Sequence, residues 1–271
     1  MKLPRLVALD LDDTLLSDNL EISDFTVAVI DFLAEVKGVH FALSSGRSYE
    51  SLKPYIERLG FQKRSFFCIC ENGTKIIKTD TAALVEEYGL EFSVALEAYK
   101  TGLENGFTCQ VYRDDYIIAS AENPYSSDGR KLSGLKLKIE NNFEELLKQN
   151  FLKLVFPGTP ERISALEEIM RERIGDRATV FISKPFYLEV LPKDVDKGFA
   201  LSRVAGFLNI PEEYVMAFGD AMNDLAMLRW AGQGVAMKNG VPEIIKTSKF
   251  STDYTNNEDG VARYLKKIFN I

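Results

Sequence analysis

A short apolar run near the N-terminus ends abruptly in acidic residues, and this feature constrains the fold most. Residues Leu6 to Leu9 have the composition of a strand buried on both faces, as in a parallel sheet covered by helices. Three carboxylates and a threonine follow directly, at Asp10, Asp12, Asp13 and Thr14. Ligands of parallel sheets bind beyond the carboxyl ends of the strands, so we expect a site here. If the backbone stays extended, Asp10 and Asp12 project to the same side, where two carboxylates need a cation or a proton to coexist.

A helix cap is the simpler interpretation of this cluster, because Asp and Thr are good N-cap residues. A cap requires one such residue, whereas this stretch supplies four within five positions. The excess favours a site in which one carboxylate binds a hard metal or attacks an electrophile while the other moves a proton.

The N-terminal part of the chain alternates strands with helices. Ser23 begins a helix whose apolar residues recur at helical spacing, and Gly38 ends it. A second buried strand over Val39 to Leu43 is followed by a helix from about Tyr49 to Leu59. This order predicts right-handed crossovers between parallel strands, and therefore an α/β fold with a Rossmann-like, doubly wound parallel sheet.

The pattern changes between residues 82 and 190. Short strands with turn signals alternate there with two or three helices. Lys136 and Lys138 alternate with apolar residues, which is typical of a half-exposed antiparallel strand. We therefore predict an inserted α+β cap domain with an antiparallel sheet at 82–190, and a core domain formed by residues 1–81 and 191–271.

The composition excludes several partners and chemistries. The formal net charge of -7 argues against nucleic acid or an anionic membrane as a main partner, since both favour basic surfaces. Three cysteines are too few for a disulfide framework or a structural zinc site, and the single histidine, His40, lies in a buried-strand pattern. With no leader pattern and no membrane-spanning run, we expect a cytoplasmic protein, whose oligomeric state the sequence does not reveal.

Polar residues also follow the other predicted strands. Ser45-Gly46 precedes a helix, where a hydroxyl and backbone N–H groups can bind a phosphate or the serine can simply cap the helix. Lys197 opens a helix, an unfavourable position for a cation, so it either serves a site or extends into solvent. Asp220, Asn223 and Asp224 follow a further strand, and their oxygen atoms suit Mg²⁺ better than zinc.

These motifs occur in a fixed order along essentially the whole chain. They are Asp10-x-Asp12-x-Thr14, Ser45-Gly46-Arg47, Asn72-Gly73-Thr74, Asp196-Lys197-Gly198 and Gly219-Asp220-x-x-Asn223-Asp224. The set resembles the Cof-type branch of the haloacid dehalogenase superfamily, phosphatases that carry a type IIB cap. The long stretch between Arg47 and Lys197 has room for that cap, whereas the stretch before Ser45 does not.

The resemblance implies a role for each matching residue. Asp10 resembles the nucleophile that forms an aspartyl phosphate, and Asp12 resembles the general acid and base. Asp10, the backbone carbonyl of Asp12 and Asp220 resemble the Mg²⁺ ligands, with Asp224 as a further member of the metal site. The implied phosphate- and substrate-binding residues are Thr14, Ser45, Gly46, Arg47, Asn72, Lys197 and Asn223.

The chain departs from the branch at a few positions without losing a catalytic group. Asp13 stands where glycine is common, and we expect its charge to point away from the site. Ser44-Ser45 replaces the usual alanine and threonine, which keeps the hydroxyl. Asp196 precedes the lysine where a small polar residue is frequent.

The expected function is that of a Mg²⁺-dependent phosphatase acting on small phosphorylated metabolites, sugar phosphates in particular. A phosphomutase of the same fold, which returns the phosphate to its substrate, is the second hypothesis. A receiver-like phosphorylated switch needs a much shorter chain, and a non-catalytic phosphometabolite-binding protein has no use for an intact Asp12.

Overall fold

The computed structural model of the chain describes residues 2–125 and 134–271. The chain forms two compact units, one from Met1–Glu86 with Asp196–Ile271 and the other from Glu87–Val195. The boundaries expected from the sequence fall slightly earlier at both positions. The first differs because Leu84–Glu87 forms a strand of the first unit's sheet, which the sequence pattern does not predict.

An eight-stranded sheet forms the centre of the first unit. Its strands are β1 (Leu6–Asp10), β2 (His40–Ser44), β3 (Phe67–Cys70), β4 (Lys75–Lys78), β5 (Leu84–Glu87), β12 (Val215–Gly219), β13 (Gln233–Ala236) and β14 (Phe250–Ser251). They lie in the order β14-β13-β12-β1-β2-β3-β4-β5. All pairs from β14 to β3 are parallel, and β4 returns antiparallel to β3. The predicted parallel α/β sheet is confirmed.

Helices cover both faces of this sheet. They are α1 (Asp24–Lys37), α2 (Tyr49–Arg58), α6 (Lys197–Phe207), α7 (Leu225–Trp230), α8 (Pro242–Thr247) and α9 (Gly260–Phe269). Val7 and Leu9 of β1 pack in one buried cluster with residues of α1, α2 and α9. Leu6 and Ala8 pack in another with residues of α6, α7 and α8. Both faces of β1 are therefore buried, which explains its uninterrupted apolar run.

The strand order brings separate sequence motifs to one edge of the sheet. β1 pairs with β2 on one side and with β12 on the other. Asp10 is in register with Ser44, and Gly219 ends β12. Because the carboxyl ends of parallel strands meet at the same edge, the polar residues that follow these three strands are neighbours.

A six-stranded sheet with helices on one face forms the second unit. Its strands are β6 (Gln110–Arg113), β7 (Tyr116–Ala119), β8 (Lys136–Ile139), β9 (Leu154–Pro157), β10 (Ala178–Lys184) and β11 (Tyr187–Pro192), in the order β10-β11-β9-β6-β7-β8. The helices α3 (Phe92–Glu104), α4 (Phe143–Leu147) and α5 (Pro160–Ile174) share one apolar cluster with the sheet. In neither unit does the described part of the chain contain a helix with the length and hydropathy needed to cross a membrane.

The prediction of an antiparallel sheet is wrong for one strand pair of the second unit. β8 runs parallel to β7, whereas the other assigned pairs of this sheet are antiparallel. The intervening segment 120–135 is long enough for the crossover that a parallel pair requires. Alternation of Lys136 and Lys138 with apolar residues does not distinguish the two orientations, because side chains alternate between the faces in both.

Candidate active site

Asp10 ends β1 with its side chain buried. The chain then leaves the extended conformation, because Leu11–Leu15 forms a tight turn in which Asp13 has a φ of 60°. The condition of the expectation, a strand that continues from Asp10 to Asp12, is therefore not met, although the two carboxylates lie close enough for the charge of Asp12 to raise the pKa of Asp10. The turn instead directs Asp12 toward Arg47 and places the next hydroxyl, that of Thr14, against another carboxylate.

A fully buried lysine connects the acidic residues. Lys197 is the first residue of α6, and its Nζ donates to Oδ1 of Asp10 and to Oδ1 of Asp224, each at 2.6 Å. Lys197 therefore does not extend into solvent. The two carboxylates offset its unfavourable position at a helix N-terminus, and Asp196 caps that helix by accepting a hydrogen bond from the N–H of Phe199.

Two carboxylates after β12 complete the cluster. Asp224 uses both oxygens, because Oδ1 accepts from Lys197 while Oδ2 accepts from the N–H groups of Asp220 at 3.0 Å and Ala221 at 3.1 Å. Asp220 accepts a hydrogen bond from the Thr14 hydroxyl through its own Oδ1 at 2.7 Å. Thr14 thus donates to a carboxylate, and the phosphate contact that the resemblance implies for it stays a prediction.

Negative charge exceeds positive charge in this cluster. Asp10, Asp220 and Asp224 offer oxygens within 4.8 Å of one another, and Lys197 is the cation that bonds two of them. Burial and the charge of Asp224 raise the pKa of Asp10 to about 7. Burial and the charges of Asp10 and Asp224 raise the pKa of Asp220 to about 9. Oxygen donors that repel one another in this way fit a divalent cation, whose charge would balance theirs.

The end of β2 contributes a hydroxyl and a glycine. Ser45 is buried, and its Oγ accepts from the N–H of Arg47 at 3.2 Å, while its own N–H donates to the carbonyl of Ile69 at 2.9 Å. Two of the N–H groups expected to be available to a phosphate are therefore engaged within the protein. A Cβ at Gly46 would lie 3.1 Å from the side-chain nitrogen of Asn72, so this segment packs closely against the turn after β3.

Arg47 forms a two-point ion pair with Asp12. Its Nε donates to Oδ2 at 2.9 Å and its Nη2 donates to Oδ1 at 2.6 Å, and the guanidinium lies over the ring of Tyr55. Such paired contacts fix the orientation of a carboxylate. The structure therefore joins a residue predicted to contact substrate to the residue predicted to transfer protons.

An amide pair links the turn after β3 to the segment after β12. Asn223 Nδ2 donates to Oδ1 of buried Asn72 at 3.0 Å. Glu71, Asn72 and Gly73 all have positive φ, and a Cβ at Gly73 would lie 2.2 Å from the carbonyl oxygen of Asp196. The turn joins β3 and β4 in an antiparallel hairpin. Its contacts with α6 and Asn223 are not predictable locally, since these residues are distant in the chain.

Asn239 is a residue of this region that the sequence analysis does not single out. It follows β13, and its Nδ2 donates to the carbonyl of Asp13 at 2.7 Å. The signal that could have identified it is its position in Lys238-Asn239-Gly240, directly after a buried strand, because the other site residues also follow strand ends.

Known proteins resemble this chain in both sequence and fold. A sequence profile described as haloacid dehalogenase-like hydrolase matches residues 7–265. YxeH of Bacillus subtilis strain 168, which carries the name of a phosphatase, is 30% identical in an alignment covering 97% of this chain and 98% of that protein. The HMP-PP phosphatase of Yersinia pestis strain Pestoides F is 28% identical, covering 96% and 94%. The solved structure of the subclass IIB sugar phosphatase BT4131 shares the fold, with a TM-score of 0.85 over 98% of this chain and 100% of that chain at 19% identity.

Proposed function

This chain belongs to the haloacid dehalogenase-like hydrolase family, in its Cof-type branch, and is a phosphatase; from this premise we propose its mechanism and its class of substrate. Asp10 attacks the phosphorus of a small phosphorylated metabolite and forms an aspartyl phosphate, which water then hydrolyses. The observation that carries this proposal is the buried cluster of Asp10, Asp220, Asp224 and Lys197. It combines a carboxylate nucleophile with a cation-binding group at the carboxyl edge of a parallel sheet.

The surroundings of Asp10 suit a nucleophile. Lys197 binds Oδ1, and within residues 2–125 and 134–271 no hydrogen bond reaches Oδ2. The positive charge of Lys197 also favours the ionised form of Asp10, against the effect of burial. Attack by Oδ2 forms a phosphorus–oxygen bond while the bond to the leaving-group oxygen breaks.

Asp12 is the proposed carrier of protons. It protonates the leaving-group oxygen in the first step, and in the second step it accepts a proton from the water that attacks the aspartyl phosphate. The two hydrogen bonds from Arg47 support this role because they hold the carboxylate in one orientation. The Ser45 hydroxyl and Lys197 are the proposed donors to the phosphoryl oxygens, since positioning and charge neutralisation are most of what phosphoryl transfer requires.

Asp10, the backbone carbonyl of Asp12 and Asp220 are the proposed Mg²⁺ ligands. Asp224 is assigned to orientation instead of coordination, because both of its oxygens already accept hydrogen bonds from Lys197 and from the backbone. When bound, Mg²⁺ neutralises charge on the phosphoryl oxygens and on the carboxylates around it. The excess of buried carboxylates over lysine supports this assignment.

The proposed substrates are small phosphorylated metabolites with a polar, hydroxyl-bearing leaving group, such as sugar phosphates. Support comes from the relatives, since one carries the name of an HMP-PP phosphatase and a solved structure that shares the fold is described as a sugar phosphatase.

Hydrolysis of p-nitrophenyl phosphate by the purified protein with Mg²⁺ tests the mechanism. We expect turnover that stops in excess EDTA and is lost in Asp10→Asn, which keeps the side-chain shape without a nucleophilic carboxylate. Asp115→Asn changes an exposed residue of the second unit and serves as the matched control. Full activity of Asp10→Asn, or of the wild type in EDTA, would remove the nucleophile or the metal from the mechanism.

The role of Asp12 is tested by trapping. Asp12→Ala still has the nucleophile but lacks the base for the second step, so we expect phosphorylated protein to accumulate and to be detected by intact-mass measurement. Wild-type turnover in this variant rejects the acid–base assignment.

The class of substrate is tested by comparing leaving groups. We expect kcat/KM for sugar phosphates to exceed kcat/KM for alkyl phosphates of similar size, which lack the hydroxyl groups, by about tenfold or more. Equal kcat/KM values for the two kinds of phosphate would reject this class of substrate.

A further inference from the structure

Asp13 holds a backbone conformation that its side chain disfavours. Its φ of 60° and ψ of 5° lie in the left-handed region, which glycine adopts readily and other residues adopt only with support. The residue follows Asp12 directly and is exposed to solvent. Burial therefore does not hold the residue in this conformation, which requires specific contacts with its surroundings.

Three consecutive residues of this turn are each held by a different strand end. Arg47, after β2, binds the carboxylate of Asp12. Asn239, after β13, donates from its side-chain Nδ2 to the carbonyl of Asp13 at 2.7 Å. The carboxylate that follows β12 accepts a hydrogen bond from the hydroxyl of Thr14.

Asn239 is itself held in place. Its Oδ1 accepts a hydrogen bond from the backbone N–H of Asn256 at 3.0 Å. The loop that carries it is also tied to the neighbouring strand end, because the N–H of Val241 donates to the carbonyl of Asp220 and the N–H of Met237 donates to the carbonyl of Gly219, each at 2.9 Å. The amide of Asn239 is thus a fixed point against which the turn is oriented.

We propose that Asn239 is a positioning residue of the phosphatase, which holds Asp13 in the left-handed conformation and thereby aims Asp12 at the site. Hydrogen bonds hold the carbonyl of Asp13 and the side chain of Thr14 in place. With these two groups fixed, the φ of Asp13 sets the orientation of the peptide between Asp12 and Asp13. Without the amide of Asn239, Asp13 relaxes toward negative φ and turns the carbonyl and carboxylate of Asp12 away. The proposal rests on the proposed roles of Asp12.

A cycle with a glycine at position 13 tests this. Asn239→Ala removes the donor to Asp13, and we expect kcat/KM for p-nitrophenyl phosphate to fall about 10–100-fold, as is usual for residues that orient a metal or catalytic group. In the Asp13→Gly background, position 13 adopts a positive φ without help. The same Asn239→Ala change should then lower kcat/KM by no more than about threefold, which is the signature of two coupled positions.

Asn239→Asp separates the two hydrogen bonds of the side chain. It keeps the acceptor for the N–H of Asn256 and loses the donor to Asp13, so we expect the loss to match that of Asn239→Ala and again to shrink with Asp13→Gly. A loss of kcat/KM of equal size in the wild-type and Asp13→Gly backgrounds would show that Asn239 acts elsewhere and would reject the positioning role. A rise in KM alone in both backgrounds would show that Asn239 contacts the substrate and would reject it as well.

Hydrogen exchange gives a readout that does not depend on turnover. Asn239→Ala should speed amide exchange in the turn around Asp13. Asn256→Ala is the matched control, because its amide donates to the carbonyl of Leu16 at the end of the same turn; it should speed exchange around Leu16 and change kcat by less than about twofold. If the wild type lacks phosphatase activity, the proposed mechanism fails, but hydrogen exchange still tests whether Asn239 holds the turn. Unchanged exchange around Asp13 in Asn239→Ala overturns the proposed role of Asn239.

Discussion

The carboxylates of Asp10 and Asp220 work against folding unless a cation balances them. Their pKa values in the folded protein, about 7 and about 9, lie above the ordinary value of 3.8. Between 3.8 and those values the folded state binds more protons than the unfolded state, so the free energy of unfolding decreases as the pH rises. The stabilising contribution is complete below pH 3.8 and lost once the pH passes the folded-state pKa.

The metal-free protein should therefore lose thermal stability as the pH rises from about 5 to 9. Thermal unfolding in EDTA across this range checks the slope. Asp220→Asn removes one of the two groups and can still accept the hydrogen bond from Thr14, so its unfolding temperature should depend less on pH. At high pH the free energy of unfolding of this variant should exceed that of the wild type by roughly 0.5–2 kcal/mol. An identical slope in the variant would contradict the assignment.

Replacing Lys197 should have the opposite effect. Lys197→Met leaves Asp10 and Asp224 buried without their cation, and removing one member of a buried ion pair typically costs about 3–5 kcal/mol. The loss should be smaller at low pH, where the carboxylates take up protons. Denaturant unfolding measures it, and Lys136→Met, which removes an exposed ion pair with Asp115, should show no comparable change.

At this scale the sequence could predict which residues lie at the strand ends but not how they pair. Asp10 and Asp220 follow from buried strands that end in polar groups, and Lys197 follows from its unfavourable position at a helix start. The ion pair of Asp12 with Arg47 depends on the turn after β1, in which Asp13 adopts a left-handed conformation. Side-chain contacts of this kind require the three-dimensional path of the loops, which local patterns do not contain.

At the scale of elements, local signals located most helices and strands because their physical causes are local. Ser23 caps α1 by accepting from the N–H of Thr26, and Gly38 ends it with a φ of 67°. Edge strands were harder to predict, since β5 has little buried surface and therefore a weak apolar pattern. The parallel pairing of β8 with β7 could not be derived from alternation, which is the same in both orientations.

The packing of the turn after β3 against α6 yields a matched pair of glycine substitutions. A Cβ at Gly73 would lie 2.2 Å from the carbonyl oxygen of Asp196, at a φ of 106°, so Gly73→Ala must displace the helix start that carries Lys197. We expect it to destabilise the protein and to reduce turnover strongly. Gly206 lies in the same helix with no atom within 4 Å of its Cβ position.

Gly206→Ala should accordingly stabilise the protein by roughly 0.5–1 kcal/mol without changing kcat, because alanine is the better helix former. Thermal unfolding and p-nitrophenyl phosphate turnover of both variants test the pair. A tolerated Gly73→Ala would show that the turn does not set the position of Lys197.

At the scale of the whole molecule, the division into two units followed from a change of pattern and from chain length. The stretch between Arg47 and Lys197 is far longer than crossovers require, so an inserted domain was predictable. The boundaries of the inserted domain were harder to predict, because β5 continues the first sheet past the expected boundary at residues 81 and 82.

Mg²⁺ should stabilise the first unit selectively, since Asp10, Asp12 and Asp220 all belong to it. At a concentration of 100 times its Kd, the ion adds about 2.7 kcal/mol to the free energy of unfolding of the part of the chain that unfolds together with the site. We expect hydrogen exchange to slow in residues 2–86 and 196–271 on addition of Mg²⁺, with residues 87–125 and 134–195 unchanged. Equal protection of both units would mean that they unfold as one cooperative body.

The pairing of β1 with β12 has a consequence for synthesis of the chain. β1 is made first, yet its neighbour β12 and the helix that carries Lys197 are translated only after the whole second unit. At roughly 5–20 residues per second, a nascent β1 waits many seconds on the ribosome for its partner strand. In that interval β1 has no partner strand at one edge, and the apolar face that packs against the later helices is uncovered. We therefore expect chains that stop before β12 to be prone to aggregate, and so to be insoluble as well as inactive.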